Sequence, residues 1–253
     1  PFIDYWLVKG PLLDYIQAVF FYIFGVNWQS YVLHASLINA LITISTFFVL
    51  KNFKLKTIYC FLYSLLFSIL AYPSSGTPFA DQHSAFFSLL GIYSLLLAIN
   101  NQRKLYWVLI PVFLGFAFLS KQVPASYVIL SVSFILLLYS FINNKFDCIK
   151  YSFVSSVSFV FLILIFGKSQ GITISSFLDQ YIFYPQTVGA ERINNFNFTF
   201  NGVIGHFKFI YFAIIPLLYE NLKKIFSNKN YIKHNNFYIF LVLLFLTFSL
   251  ILH

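Results

Sequence analysis

Methionine is absent from this chain, cysteine occurs twice, and Asp, Glu, Lys and Arg together supply 9% of the 253 residues. Each shortage excludes something. Ordinary soluble chains carry roughly 25% charged residues. With 60% hydrophobic residues, 22% aromatics and a mean hydropathy of +0.81, this chain lacks the polar groups to cover a water-facing surface. It reads as an integral membrane protein. Cys60 lies in an apolar run and Cys148 in a basic loop, so neither suggests a disulfide framework or a metal cluster, and no metal ligands are assigned. No phosphate-binding glycine loop, dinucleotide fingerprint, HExxH or nucleophile elbow occurs, which leaves no motif for ATP hydrolysis, dinucleotide redox chemistry or serine acyl transfer. No signal peptide is legible at Pro1. With no Met at position 1 and an apolar run continuing to His253, the chain reads as an internal piece of a longer protein.

Acidic residues are scarcer than basic ones, seven against sixteen, for a net charge of +9. The cations do not form the patch that nucleic acid would require. Eleven fall in four short loops: Lys51, Lys54 and Lys56; Arg103 and Lys104; Lys145 and Lys150; Lys223, Lys224, Lys229 and Lys233. Short cytoplasmic loops collect Lys and Arg, so charge here reports topology.

A helix needs about 20 apolar residues to cross the hydrocarbon core. The apolar runs 30–50, 57–72, 84–99, 105–120, 125–142, 151–167, 207–219 and 237–253 suggest about eight spans. The expected fold is an all-α, polytopic transmembrane helix bundle, a single membrane domain with an interfacial helix and outer-face loops. Residues 1–29 form an outer segment, 30–167 six spans, 168–206 an outer loop and 207–253 two spans. With the first span running inward, all four basic loops fall on the cytoplasmic side. Asp4, Asp14, Asp81, Asp179 and Glu191 then share the outer side. Pro11–Gly25 predicts a helix along the outer interface, with Pro11 in its first turn, Gly25 as its stop and aromatic residues at headgroup level.

In so apolar a chain, ionisable groups near the membrane region usually mark a functional site. Lys9, before Gly10-Pro11, is placed to neutralise a phosphate, or simply to snorkel towards headgroups. Asp4 and Asp14 flank it, as a base, as an orienting group, or as partners in an ion pair. In PSSGTPFADQHS, Asp81 suits a base or a helix cap, and His83 a proton carrier or ligand. Lys121 sits between two apolar segments, where a lipid phosphate would partner it. Arg192 offers a planar fork for a second phosphate oxygen, or pairs with Glu191.

Three motifs stand in order: PFIDYW with KGPLLDYIQAVFFYIFG, then FADQHSAFFSLLGIYSLLLAI, then GFAFLSKQVPA. Together they resemble the GT-C class of polytopic membrane glycosyltransferases, in particular aminoarabinose transferases and protein mannosyltransferase-like enzymes. The likeness covers roughly residues 1–124. It implies transfer of a sugar from a polyprenyl-phosphate carrier to a lipid, glycan or protein acceptor at the outer face of the membrane. It further implies that Lys9 and Lys121 hold the carrier phosphate, that Asp81 is the loop carboxylate near the site and that Asp4 is the carboxylate before the Lys motif; Asp4 and Asp81 are taken as catalytic carboxylates, and Asp14, His83 and Arg192, from their own chemistry, as substrate-binding residues. The family's main acidic motif lies upstream of Pro1. Membrane lipids and a lipid-linked sugar are the expected partners; nucleic acid is not. No cofactor is assigned, and a divalent metal is left open. The Phe-, Ile-, Lys- and Asn-rich composition suggests a bacterial inner membrane, with the site facing the periplasm or cell exterior. The competing reading is a transporter or flippase for lipid-linked glycans, which would also grip phosphate with outer cations. The absence of a repeat, and the gathering of charge at helix ends rather than centres, favours the enzyme.

Overall fold

The computed structural model describes residues 2–3, 9–187, 205 and 207–252, and among these every regular element is helical. The chain divides into two compact units. The first is Lys9–Ala125; the second gathers Phe2 and Ile3 with the described part of Ser126–His253.

In the first unit, α1 (Leu12–Phe24) is the expected interfacial helix. Pro11 takes its N-cap, one residue earlier than the first-turn place predicted, and Gly25 ends it at φ 81°, a left-handed value that favours glycine. α2 (Trp28–Asn52) follows. Its cap is Asn27, whose side-chain oxygen accepts the Ser30 backbone N–H at 3.0 Å. α3 (Thr57–Ala71), α4 (Ala80–Asn101) and α5 (Lys104–Ser120) complete the unit.

α2 carries its polarity inwards. Ser30, His34, Asn39 and Thr46 are buried, while Leu33, Leu37, Leu41, Ile44 and Phe48 are exposed. That inversion is costly in water and favourable in lipid, where polar groups gain by meeting each other. Asn39 Nδ2 donates to the Ser68 carbonyl of α3 at 3.0 Å. Thr46 Oγ1 lies 2.9 Å from the Tyr93 hydroxyl of α4. α4 and α5 pack most tightly, through buried Ile92, Leu95, Ala98, Ile99, Trp107, Ile110 and Leu114. Gly91 permits the approach, since a Cβ there would stand 2.7 Å from Leu114 Cδ2.

In the second unit, α6 (Gln122–Asn143, mostly within this unit) bends at the non-helical Val123; α5 ends before it at the extended Lys121, so the segments either side of Lys121 are two helices. α6 meets the last helix, α10 (Asn235–Leu252), through edge-on Tyr139 and Tyr238, 4.9 Å between ring centres. Asn143 Nδ2 donates to the Tyr238 hydroxyl at 2.9 Å. α7 (Asp147–Ser169) shows its apolar side chains outward almost throughout, including Phe153, Phe161 and Leu162. Part of 168–206, expected as loop, is helical: α8 (Ile174–Leu178) runs into a π-helical turn, Asp179–Phe183. Thr173 caps α8 by accepting the Ser176 N–H at 3.1 Å. The Phe2 ring packs edge-on against Phe177 and Tyr181. Such contacts lie beyond the reach of an apolar-run count. α9 (Lys208–Ser227) precedes a short 3₁₀ turn, Lys229–Lys233.

Among the described residues, four helices, α2, α4, α6 and α7, are long and apolar enough to cross a membrane. α1, α3, α5 and the Asn235–Thr247 part of α10 are apolar but shorter. At about 1.5 Å per residue, the 15 residues of α3 reach about 22 Å, against about 30 Å of hydrocarbon.

Candidate functional site

Lys9 precedes α1, Asp81 lies in the first turn of α4 and Lys121 follows the end of α5. The segments of the two lysines meet through their backbones. Gly10 N–H donates to the Ser120 carbonyl at 3.1 Å, so the Lys9-Gly10 and Ser120-Lys121 dipeptides, over a hundred residues apart in sequence, lie side by side. Only glycine fits there. A Cβ on Gly10 would come within 1.9 Å of the Leu119 carbonyl oxygen and 2.4 Å of that of Ser120, and backbone cannot yield as a flexible side chain would. Lys9 itself is exposed.

Lys121 is held from two sides. Its backbone leaves the helix in an extended conformation (φ −161°, ψ 136°), and its carbonyl accepts a hydrogen bond from Ser84 Oγ of α4 at 3.2 Å. Its ammonium pairs with the Asp81 carboxylate. Asp81 lies in the first turn of α4 without capping it: the N-cap is Phe79, with no side-chain hydrogen bond. The helix N-terminus still favours a carboxylate in that turn. The pair is half-exposed, 34% for Lys121 and 59% for Asp81, and exposed pairs contribute only about 0–1 kcal/mol. A phosphate could therefore displace the carboxylate from Lys121 at little cost.

Asp81 also borders an open cleft of about 350 Å³ walled by Ala71, Pro73, Ser74, Phe79 and Gln82. Gln82 Nε2 donates to the Ala71 carbonyl at 2.6 Å, joining the start of α4 to the end of α3. A cation, a carboxylate and a cleft are thus adjacent.

The other predicted site residues fall elsewhere. Asp14 is exposed on α1, whereas Gln17, one turn on, is buried. His83, expected at the substrates, is fully buried. Its Nδ1 lies 2.9 Å from the Phe79 carbonyl and its Nε2 2.9 Å from His34 Nε2, so both nitrogens are taken up within the protein. Asp4 and Arg192 lie outside the described residues. Among the described residues no three His, Cys, Asp or Glu side chains are grouped to hold a metal. The sequence reading did not single out Gly10 as a contact point, nor His34, Gln17 and Ser84. A histidine inside an apolar span was the one available signal for His34.

Fold and site together define a polytopic helical membrane protein with a Lys121–Asp81 ion pair beside an open cleft. Residues 8–168 match the dolichyl-phosphate-mannose-protein mannosyltransferase family, and the chain belongs to that family. It is a membrane glycosyltransferase using a polyprenyl-phosphate-linked sugar as donor. The matched segment contains Lys9, Asp14, Asp81, His83 and Lys121, but neither Asp4 nor Arg192. No curated protein and no solved structure matches the chain.

Proposed function

We propose that Lys9 and Lys121 together bind the phosphate of the lipid-linked donor, and that the sugar passes to a lipid, glycan or protein acceptor at the outer face of a bacterial inner membrane. The observation that carries this reading is the Gly10–Ser120 hydrogen bond, which sets the two lysine-bearing segments next to one another. As the glycosidic bond breaks, the phosphate leaves with the electron pair and gains negative charge. Cations fixed beforehand favour that state over the bound ground state. When Lys121 turns to the phosphate, Asp81 is released at the cleft wall, where a carboxylate can take the proton of an acceptor hydroxyl. Asp4 is a further candidate for that base, Asp14 for orienting the acceptor, and Arg192 for a second phosphate oxygen.

The outer-face assignment rests on the basic loops, which also support eight crossings, with short α3 and α5 accommodated by local thinning of the bilayer. No observation in either unit favours the transporter reading over the family's chemistry.

The test is sugar transfer by purified protein from a short-chain polyprenyl-phosphate sugar. Lys9→Ala and Lys121→Ala are each expected to cut kcat/KM by two or more orders of magnitude while the protein still inserts and folds. Wild-type transfer by either variant would remove that lysine from the phosphate site.

A further inference from the structure

Inside the first unit, four groups from three helices and a loop form one unbroken, buried polar chain. Gln17 of α1 meets His34 of α2 at 2.7 Å (Oε1 to Nδ1). His34 meets His83 of α4 at 2.9 Å, Nε2 to Nε2, and His83 Nδ1 meets the carbonyl of Phe79, the α4 N-cap, at 2.9 Å. Both histidines are 0% exposed. The Phe20 ring of α1 stacks on His34, 4.7 Å and 14° apart.

The protons of this chain follow from its ends. A carbonyl oxygen only accepts, so His83 carries its proton on Nδ1 and presents a bare Nε2 to His34. His34 therefore donates from its own Nε2. Its Nδ1 then accepts from the Gln17 amide nitrogen or, when His34 is charged, donates to the amide oxygen. With the oxygen towards His34, the buried Gln17 nitrogen has no partner among the described residues; a half-turn of the amide removes that orphan and gives a neutral chain with every donor pointing from α1 towards α4. In either state the bond from His34 Nε2–H to His83 Nε2 persists.

We propose that His34 and His83 are positioning residues for the donor-phosphate site, a hydrogen-bonded strut that sets where the starts of α1 and α4 stand. This rests on the phosphate role assigned above to Lys9 and Lys121. The strut ties α1, which follows Lys9-Gly10, to the first turns of α4, which hold Asp81 and, through Ser84, the Lys121 carbonyl. The interfacial helix is otherwise anchored at its beginning by Gly10 and Ser120. Fully buried, His34 has no water to replace His83, so loss of the ring-to-ring bond leaves a buried donor unmet.

Two near-isosteric variants separate positioning from bulk packing. The end of a glutamine side chain reaches about where Nε2 of histidine sits, whereas that of asparagine reaches only to Nδ1. His83→Gln retains the bond to His34; His83→Asn retains only the bond to Phe79. For donor transfer in detergent or nanodiscs, His83→Gln is expected within about threefold of wild-type KM for the polyprenyl-phosphate sugar. His83→Asn is expected to raise that KM tenfold or more with a smaller change in kcat, and His34→Leu to do the same. Lys9→Ala is measured alongside. If Lys9→Ala raises the donor KM and His83→Asn does not, or if the Gln and Asn variants behave alike, the strut is refuted while the phosphate site stands. If Lys9→Ala leaves the donor KM and transfer unchanged, the phosphate reading itself fails, and the strut's role with it.

Discussion

Gly10 shows how one residue type can decide a site. Its lack of a side chain is used for a close approach of two backbones, with Leu119 O where a Cβ would be. Gly10→Ala must push α1 away from the end of α5 and break the Gly10–Ser120 hydrogen bond. Overpacking of this kind typically costs about 1–3 kcal/mol, and more where backbone must move. The expected outcome is a tenfold or greater loss of transfer with a lower unfolding temperature in detergent, read by thermal-shift and activity assays on one preparation. Retention of both would mean that the two lysine-bearing segments do not need this contact. At the same scale, Asp81 and Lys121 illustrate a weak interaction suited to function: a half-exposed pair is strong enough to orient two side chains and weak enough to yield to a phosphate anion.

The helices divide by what they bury. α4 and α5 form the rigid part of the first unit, because Gly91 brings Leu114 close and an apolar seam from Ile92 to Ile99 meets Trp107, Ile110 and Leu114. Gly91→Ala is expected to be tolerated at a cost of about 1 kcal/mol, since the Leu114 side chain can swing aside. Gly91→Leu is expected to abolish accumulation of folded protein, and Leu114→Ala to restore part of it. Detergent-solubilised yield and thermal midpoint report both; equal behaviour of the Ala and Leu variants would contradict the packing account. α7 sits at the other extreme, with 6% of its most apolar window buried. An outward apolar face on that scale would drive aggregation in water and is the ordinary state of a helix in lipid.

For the whole molecule, the separation of charge gives a direct topological prediction. In a chain with Cys60→Ser and Cys148→Ser, a cysteine at Ser75, in the loop between α3 and α4, is expected to react with a membrane-impermeant maleimide in intact cells. One at Ser227, at the end of α9, is expected to react only after permeabilisation. Both native cysteines are replaced in that chain, so the introduced cysteine is its sole thiol. The reverse pattern would invert the assigned outer face and move the site to the cytoplasmic side.

Much of this organisation was legible in the order of residues. Long apolar runs determine that the chain is helical and membrane-embedded, because a backbone in hydrocarbon must satisfy its own hydrogen bonds. α2, α4, α6 and α7 appear where those runs lie. Pro11 and Gly25 bounded α1 because both act through local backbone geometry. Lys9, Asp81 and Lys121 stood out because charge is rare here. The tertiary structure alone decided which of these meet. Gly10 touches Ser120, Asp81 pairs with Lys121, and His83 turns inward to His34. Local pattern records which face of a helix is polar, but not which distant group of complementary hydrogen-bonding capacity will face it once the helices pack. That choice depends on side-chain shape and on satisfying every buried donor at once.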